Sequence, residues 1–249
     1  MRRILISTIV RNDAHVLARY HAQLETMVQS SPHEFHLSIF ENDSTDETKD
    51  MLKSLDWGFV SNEITRVNLG WPFYESTPLY DRVEKLAHCR NKTIECDFLS
   101  AADDVLVVDA DVIIPLNTAL AVIERDGAAD ADIYSPMCVW DHEGDGVAIQ
   151  IDDRAHYLYD TWATRRLQGE TRGDFYPDHV ENPIRPFWST MNGICLYRAQ
   201  PFKDGVRYTA FNRHTQKSDC EPAILCEDFR SHGYGNVMVN QGLFTFHET

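Results

Sequence analysis

The 249-residue chain has little that would staple, divide or tether it. Glycine (12) and proline (10) are sparse, and no Gly/Ser-rich stretch, internal repeat or low-complexity tract interrupts the sequence. A flexible linker between domains is thereby excluded, and one domain over 1–249 is expected. The six cysteines, Cys89, Cys96, Cys138, Cys195, Cys220 and Cys226, contain no C-x-x-C pair, which argues against a structural zinc site. In a chain of this size without a secretion signal they are expected to be reduced and buried. The sequons at Asn42 and Asn91 carry no weight without a secretory route. Long hydrophobic runs are missing too. The least polar stretch, Val112 to Ile123, contains Pro115 and Asn117 and is too short to cross a bilayer, so no transmembrane segment is expected. The apolar run Ile4 to Val10 stops at Arg11-Asn12-Asp13 with no small-residue cleavage site, so it reads as a first strand rather than a leader, and a cytoplasmic location follows. Positive charge is scarce: 23 Lys+Arg against 39 Asp+Glu give −16. That balance excludes non-specific nucleic-acid binding and argues against docking on an anionic membrane.

What is present is ordinary core-forming material, 43% hydrophobic and 11% aromatic. Residues 1–139 alternate strand and helix patterns. Ile4–Val10 is a β-branched apolar run, and apolar residues at helical spacing follow from Asp13 to Gln29. Phe35–Phe40 reads as a second strand. Ser44 and Glu47 form a capping box for a helix through Met51, Leu52 and Leu55. A third strand is predicted over Ile64–Leu69, and a helix capped by Asp81 and Glu84 runs to Ile94. Val105–Val108 is a very apolar fourth strand, followed by a helix over Leu116–Glu124 and a fifth strand over Ile133–Val139. This order predicts a mostly parallel α/β sheet with helices on both faces and a site at the strands' carboxyl ends. Residues 140–249 are looser and aromatic-rich, with a strand at Gly193–Tyr197, a helix from about Cys220 to His232 and a last strand at Asn236–Val239.

The most informative feature is Asp109-Ala110-Asp111 directly after Val105–Val108. Alternation along an extended segment would put Asp109 and Asp111 on one side, at the end of a buried strand. Two such carboxylates repel, and a hard divalent ion that also holds a diphosphate resolves the conflict. Asp103 and Asp104 read as residues that cap or solvate the start of that strand. A second acidic group begins at Cys220-Glu221-Pro222. Pro222 suits a first helical turn, which sets Glu221 near the helix N-terminus, and Asp228 lies two turns further along a similar face.

On these residues the chain resembles nucleotide-sugar glycosyltransferases of the GT-A fold. Ser7-Thr8-Ile9-Val10-Arg11-Asn12 and Glu41-Asn42-Asp43-Ser44-Thr45-Asp46 are similar to the turns that line the nucleotide pocket in such enzymes. The segment Arg82 to Arg90-Asn91, the stretch Tyr159-Asp160-Thr161-Trp162 to Arg165, and Met191-Asn192-Gly193 resemble the fungal capsule-associated mannosyltransferases. The resemblance implies a GT-A domain with a nucleotide-sugar half (1–139) and an acceptor half (140–249). It implies Thr8, Val10, Arg11, Glu41, Arg90, Asp109, Ala110, Asn192 and Gly193 at the donor, and Asp109, Asp111 and His247 on Mn2+ or Mg2+. Glu221 and Asp228 would be the catalytic carboxylates. GDP-mannose is the favoured donor, a UDP-sugar the next, and the acceptor is a hydroxyl of a glycan or other molecule. Two alternatives are a catalytically silent nucleotide-sugar or glycan-binding module, and a nucleotidyltransferase. The latter usually carries a Gly-rich basic loop after its first strand, which this chain lacks.

Overall fold

The computed structural model describes residues 1–74, 79–140, 148–151, 154–170 and 182–247. Part of the aromatic-rich stretch between Trp140 and Phe187 therefore lies outside the described residues. The chain begins β1 (Arg3–Val10), α1 (Ala14–Gln29), β2 (Glu34–Asn42), α2 (Thr48–Ser54), β3 (Ser61–Val67) and α3 (Tyr80–Ile94). It continues through β4 (Asp104–Val108), β5 (Val112–Ile113), α4 (Leu116–Glu124), β6 (Ile133–Trp140), β7 (Ala148–Ile151) and β8 (Arg154–Leu158). The remainder comprises β9 (Ile184–Pro186), β10 (Ile194–Arg198), α5 (Gln200–Lys203), β11 (Phe211–Asn212), β12 (Lys217–Ser218), α6 (Glu221–Ser231) and β13 (Val237–His247). Among the described residues no helix is long and apolar enough to cross a membrane.

The main sheet has the order β3-β2-β1-β4-β10-β6-β13-β5. Its β1, β2, β3 and β4 pair in parallel, as do β6 and β13, while β10 runs antiparallel between β4 and β6. This is the expected mostly parallel α/β sheet. β4 shows why its sequence reads as one apolar run: Val105 and Val107 pack into one core layer and Leu106 and Val108 into the other. A strand covered on both faces has no polar side to alternate with. Helices α1, α2 and α4 cover one face, and α3, α5 and α6 the other.

Several local expectations are corrected. Ser44 and Glu47 do not form a capping box, because α2 starts at Thr48 without a side-chain cap. Ser44 instead accepts a hydrogen bond from the Asn12 amide (3.0 Å), and Asp46 accepts those of Ala14 and Thr48. Tying the β1–α1 turn to the end of β2 wins over local capping. Asp81 sits in the first turn of α3 without capping it, and Glu84 meets the Tyr80 hydroxyl. β3 ends at Val67 rather than Leu69, because Asp43 draws the amides of Leu69, Gly70 and Trp71 onto its carboxylate. Asp104 does not solvate a strand end. It is fully buried and held by Arg125 (2.5 and 3.2 Å) and Arg2 (2.7 Å). Finally, β13 is eleven residues long, not four, and carries His247 back to β5, where it pairs with Val112.

Candidate functional site

A cleft of about 630 Å³ opens at the carboxyl ends of β1 and β4 and the start of α6. This is where an open α/β sheet leaves loops to build a ligand site. Its floor is the Asp109-Ala110-Asp111 turn. From α1, Arg19 donates to the carbonyls of Val112 (2.8 Å) and Ala110 (3.1 Å), and Gln23 donates to that of Val112 and accepts from the Ile114 amide. From the other side, the Asp109 amide donates to the Gly193 carbonyl at 2.8 Å.

The pinned segment is a turn rather than extended chain, so strand alternation does not set the two carboxylates, which meet different partners. Asp109 meets Arg90, whose Nη1 and Nη2 both lie 3.3 Å from its Oδ1. Asp111 meets His247, Oδ2 to Nε2 at 3.2 Å. Among the described residues no three His, Cys, Asp or Glu side chains converge as a metal cage. Asp111 and His247 nevertheless offer a carboxylate oxygen and an imidazole nitrogen at one point, a donor set that suits Mn2+ or Mg2+. The imidazole is firmly placed: it stacks on Tyr159 with centroids 3.9 Å apart and packs edge-on to Trp140, and among the described residues its buried Nδ1 has no hydrogen-bond partner.

Arg90 is the buried hub of the site. Besides Asp109 it holds Glu221, Nε to Oε1 at 3.2 Å, and it lies over the Tyr208 ring. Two carboxylates hold the guanidinium firmly charged despite its burial, with its pKa raised well above the usual value. Burial pushes the Asp109 carboxyl up to about 6, with Asp111 and Glu221 adding to the rise and Arg90 opposing it. Burial likewise pushes Asp13 up to about 7 against the Arg11 amide, with Asp111 and Asp46 adding to it. Asp160 is raised to about 7, again chiefly by burial.

These shifts set a sign for stability against pH. The folded protein keeps protons on Asp13, Asp109 and Asp160 that the unfolded chain releases above about pH 4. Stability from this source is complete below about pH 4 and is lost progressively as pH rises to about 7. Without added cation, the melting midpoint should be at least about 10 °C higher at pH 5 than at pH 8. Asp13→Asn should flatten that slope in thermal melts; an equal slope in the variant would show that Asp13 does not titrate in this range.

Of the residues expected from sequence, Val10, Arg11, Arg90, Asp109, Ala110, Asp111, Glu221 and His247 line the cleft. Others lie behind its wall. Thr8 is buried, donates to the Val108 carbonyl at 2.9 Å and pairs with the Tyr20 hydroxyl. Glu41 is buried beneath the β2 turn, where its Oε1 accepts the Ser44 amide and, among the described residues, its Oε2 has no hydrogen-bond partner. Asn192 spends its side chain on Ser135, Pro136, Thr164 and Thr190. Gly193 has φ +73°, and a Cβ there would lie 2.6 Å from Val112 Cγ2, so the turn admits no side chain. Asp228 faces away, 3.4 Å from His214, and is not part of the cleft lining. Trp188 is structural: its indole N–H donates to Glu227, and Arg230 stacks on it at 4.0 Å.

Sequence reasoning gave no role to Asp13, to Asp160, which it read only within a family-like stretch, or to the aromatic rim, all of which line the cleft. On that rim Lys85 lies 5.7 Å from the Trp71 ring centroid and 4.5 Å from that of Tyr74. Arg11 donates to the Trp71 and Pro72 carbonyls. The available signal was the run Trp71-Pro72-Phe73-Tyr74 just before a helix bearing Arg82 and Lys85, an aromatic and cationic cluster in an acidic chain.

The family model described as Cryptococcal mannosyltransferase 1 matches residues 3–228. No curated protein matches the sequence. Among solved structures, TarS from S. aureus in complex with UDP superposes with a TM-score of 0.54 at 13% identity, covering 99% of this chain and 60% of that one. TarS in complex with UDP-GlcNAc gives 0.54 at 16% identity, over 100% of this chain and 59% of that one. GalNAc-T7 with UDP, GalNAc and Mn2+ gives 0.56 at 12% identity, over 100% of this chain and 44% of that one. The chain thus spans 60% or less of these neighbours' lengths, and at such identities the likeness establishes the GT-A fold.

Proposed function

We propose that this protein, which belongs to the Cryptococcal mannosyltransferase 1 family, transfers a sugar from a nucleotide-diphosphate sugar to a hydroxyl of a glycan or other acceptor. The observation that carries this reading is the pairing of Asp111 with His247 beside the buried Asp109–Arg90–Glu221 cluster in one cleft. A mannosyltransferase family supports an activated mannose, for which GDP-mannose is the first choice; a UDP-sugar is the second, since the TarS and GalNAc-T7 structures hold UDP or UDP-GlcNAc.

Asp111 and His247 would hold Mn2+ or Mg2+, with Asp109 adjacent. When bound, such an ion offsets the charge that develops on a leaving diphosphate. The chain's own residues do the rest. Arg90 presents a permanent positive charge at the cleft floor, held in place by Glu221 from the first residue of α6. Glu221 therefore acts through Arg90 as a positioning residue. Asp228, paired with His214 away from the cleft, takes no part in the transfer. Arg11, Lys85 and Trp71 form a rim suited to a phosphate-bearing, aromatic-tolerant ligand.

Calorimetry with GDP-mannose and UDP-GlcNAc, with and without Mn2+, tests the reading when nucleotide release is followed in the same samples. GDP-mannose should bind in a Mn2+-dependent manner and be slowly hydrolysed. Binding of a nucleotide-sugar with no turnover in any acceptor would favour the silent binding module, and no binding of either would sink the proposal.

A further inference from the structure

We propose that Asp160, rather than Glu221, is the carboxylate that meets the acceptor hydroxyl. The inference rests on the glycosyl-transfer reading above. An acceptor-facing carboxylate needs a free oxygen open to the cleft. Glu221 does not supply one: it is 3% exposed, its Oε1 is taken by Arg90, and its Oε2 faces the Cys220 thiol at 4.0 Å.

Asp160 is built differently. It follows β8 in a left-handed conformation, φ +55°, which few side chains adopt. Its carbonyl accepts the amides of Ala163 and Thr164, which holds that conformation, and its Oδ2 accepts the Asn192 amide at 2.8 Å. One carboxylate oxygen is thereby fixed. Among the described residues its Oδ1 carries no hydrogen bond, and the residue lines the cleft. The anchor also sets its place. Asn192 holds Asp160 while the next residue, Gly193, accepts the Asp109 amide, so consecutive residues of one turn fix both acidic groups. Asp160 is thus held near the Asp109–Arg90 pair, in the cleft where the proposed function would seat the donor. Oδ1 accepts the acceptor's O–H hydrogen bond and takes its proton as the hydroxyl oxygen bonds to the anomeric carbon and the nucleoside diphosphate leaves with the electron pair of the broken carbon–oxygen bond. Burial raises this carboxyl to about 7, the Asn192 amide and Arg90 opposing, Asp109 and Glu221 adding; such a group is a strong hydrogen-bond acceptor near neutrality.

The test uses the whole chain with Mn2+, GDP-mannose or UDP-GlcNAc as donor, and water as acceptor. Asn tolerates the left-handed backbone and keeps an oxygen for the Asn192 amide, so Asp160→Asn loses only the charge. It should bind donor within about threefold of the parent yet release nucleotide about 10²-fold more slowly. Asp160→Gly, equally compatible with φ +55°, should be as slow and regain about tenfold in added formate, whose carboxylate fills the vacated space. Glu221→Gln should instead lower donor affinity and melting temperature together. An Asp160→Asn variant that hydrolyses donor within about threefold of the parent would overturn the assignment, as would a folded Asp160→Gly that formate does not restore. A parent protein that binds neither donor would overturn the glycosyl-transfer reading and this inference with it; normal binding with a fully active Asp160→Asn removes only the inference.

Discussion

Replacing Asp111 by alanine should lower Mn2+-dependent turnover of the nucleotide-sugar about 10³-fold, or about 4 kcal/mol, with little change in the melting temperature. The two halves of that expectation have separate causes. The Asp111 side chain is 41% exposed and contacts His247 at the cleft surface, and surface substitutions of this kind change stability by about 0.5 kcal/mol or less. What is lost is the hard oxygen donor that, with the imidazole, could hold the ion against a diphosphate. Asp109 would not substitute for it, because Arg90 already binds its Oδ1. Steady-state rates with Mn2+, with EDTA and in the variant decide the matter. A variant that keeps more than about a tenth of the Mn2+-stimulated rate would remove Asp111 from the metal site.

Arg90→Leu should be the most destabilising of these changes, at about 3–5 kcal/mol and a melting temperature lower by about 10 °C. Arg90 is 7% exposed and is the counter-charge to Glu221, itself 3% exposed. Removing it leaves one buried carboxylate with no opposite charge and strips Asp109 of its partner. Glu221→Leu alone should also destabilise, for the mirror-image reason. The double variant Arg90→Leu/Glu221→Leu should be more stable than the sum of the single effects, because two apolar side chains bury without a stranded charge. Melts of the four proteins measure this directly; additive losses would show that the pair is not a coupled unit. Donor binding should fall in every variant lacking Arg90, including one whose stability recovers.

The succession of the main strands along residues 1–139 was legible because the buried ones carry apolar runs, Val105–Val108 above all; their order in the sheet, with antiparallel β10 between β4 and β6, was not. The acidic turn after Val105–Val108 was legible by position alone. Its internal geometry was not, since the direction of Asp109 and Asp111 is decided by Arg19 on α1 and by the Gly193 carbonyl, partners that lie some eighty to ninety residues away in sequence. The same holds at the other end of the chain. Phe244-Thr245-Phe246-His247 looks like a short tail, yet it is strand because β6 and β5 offer edges on which to pair. Local rules failed where a tertiary hydrogen bond outbid them: Ser44 gave up its capping role to hold the Asn12 amide. Asp160, read only as part of a family-like stretch, was given no role for a different reason. Its distinction is a backbone angle, and no pattern of residue types announces that an aspartate will sit at positive φ.

The position of β10 between β4 and β6 has a consequence for how the chain can be cut. The first 139 residues look self-sufficient as a nucleotide-binding unit, but in that unit β4 would present its outer edge unpaired. That edge is Val105-Leu106-Val107-Val108, apolar on both faces, in the form most prone to recruiting another strand from a neighbouring molecule. Residues 140–249 thus shield residues 1–139 from self-association, and residue 139 is not a seam at which the protein could be divided.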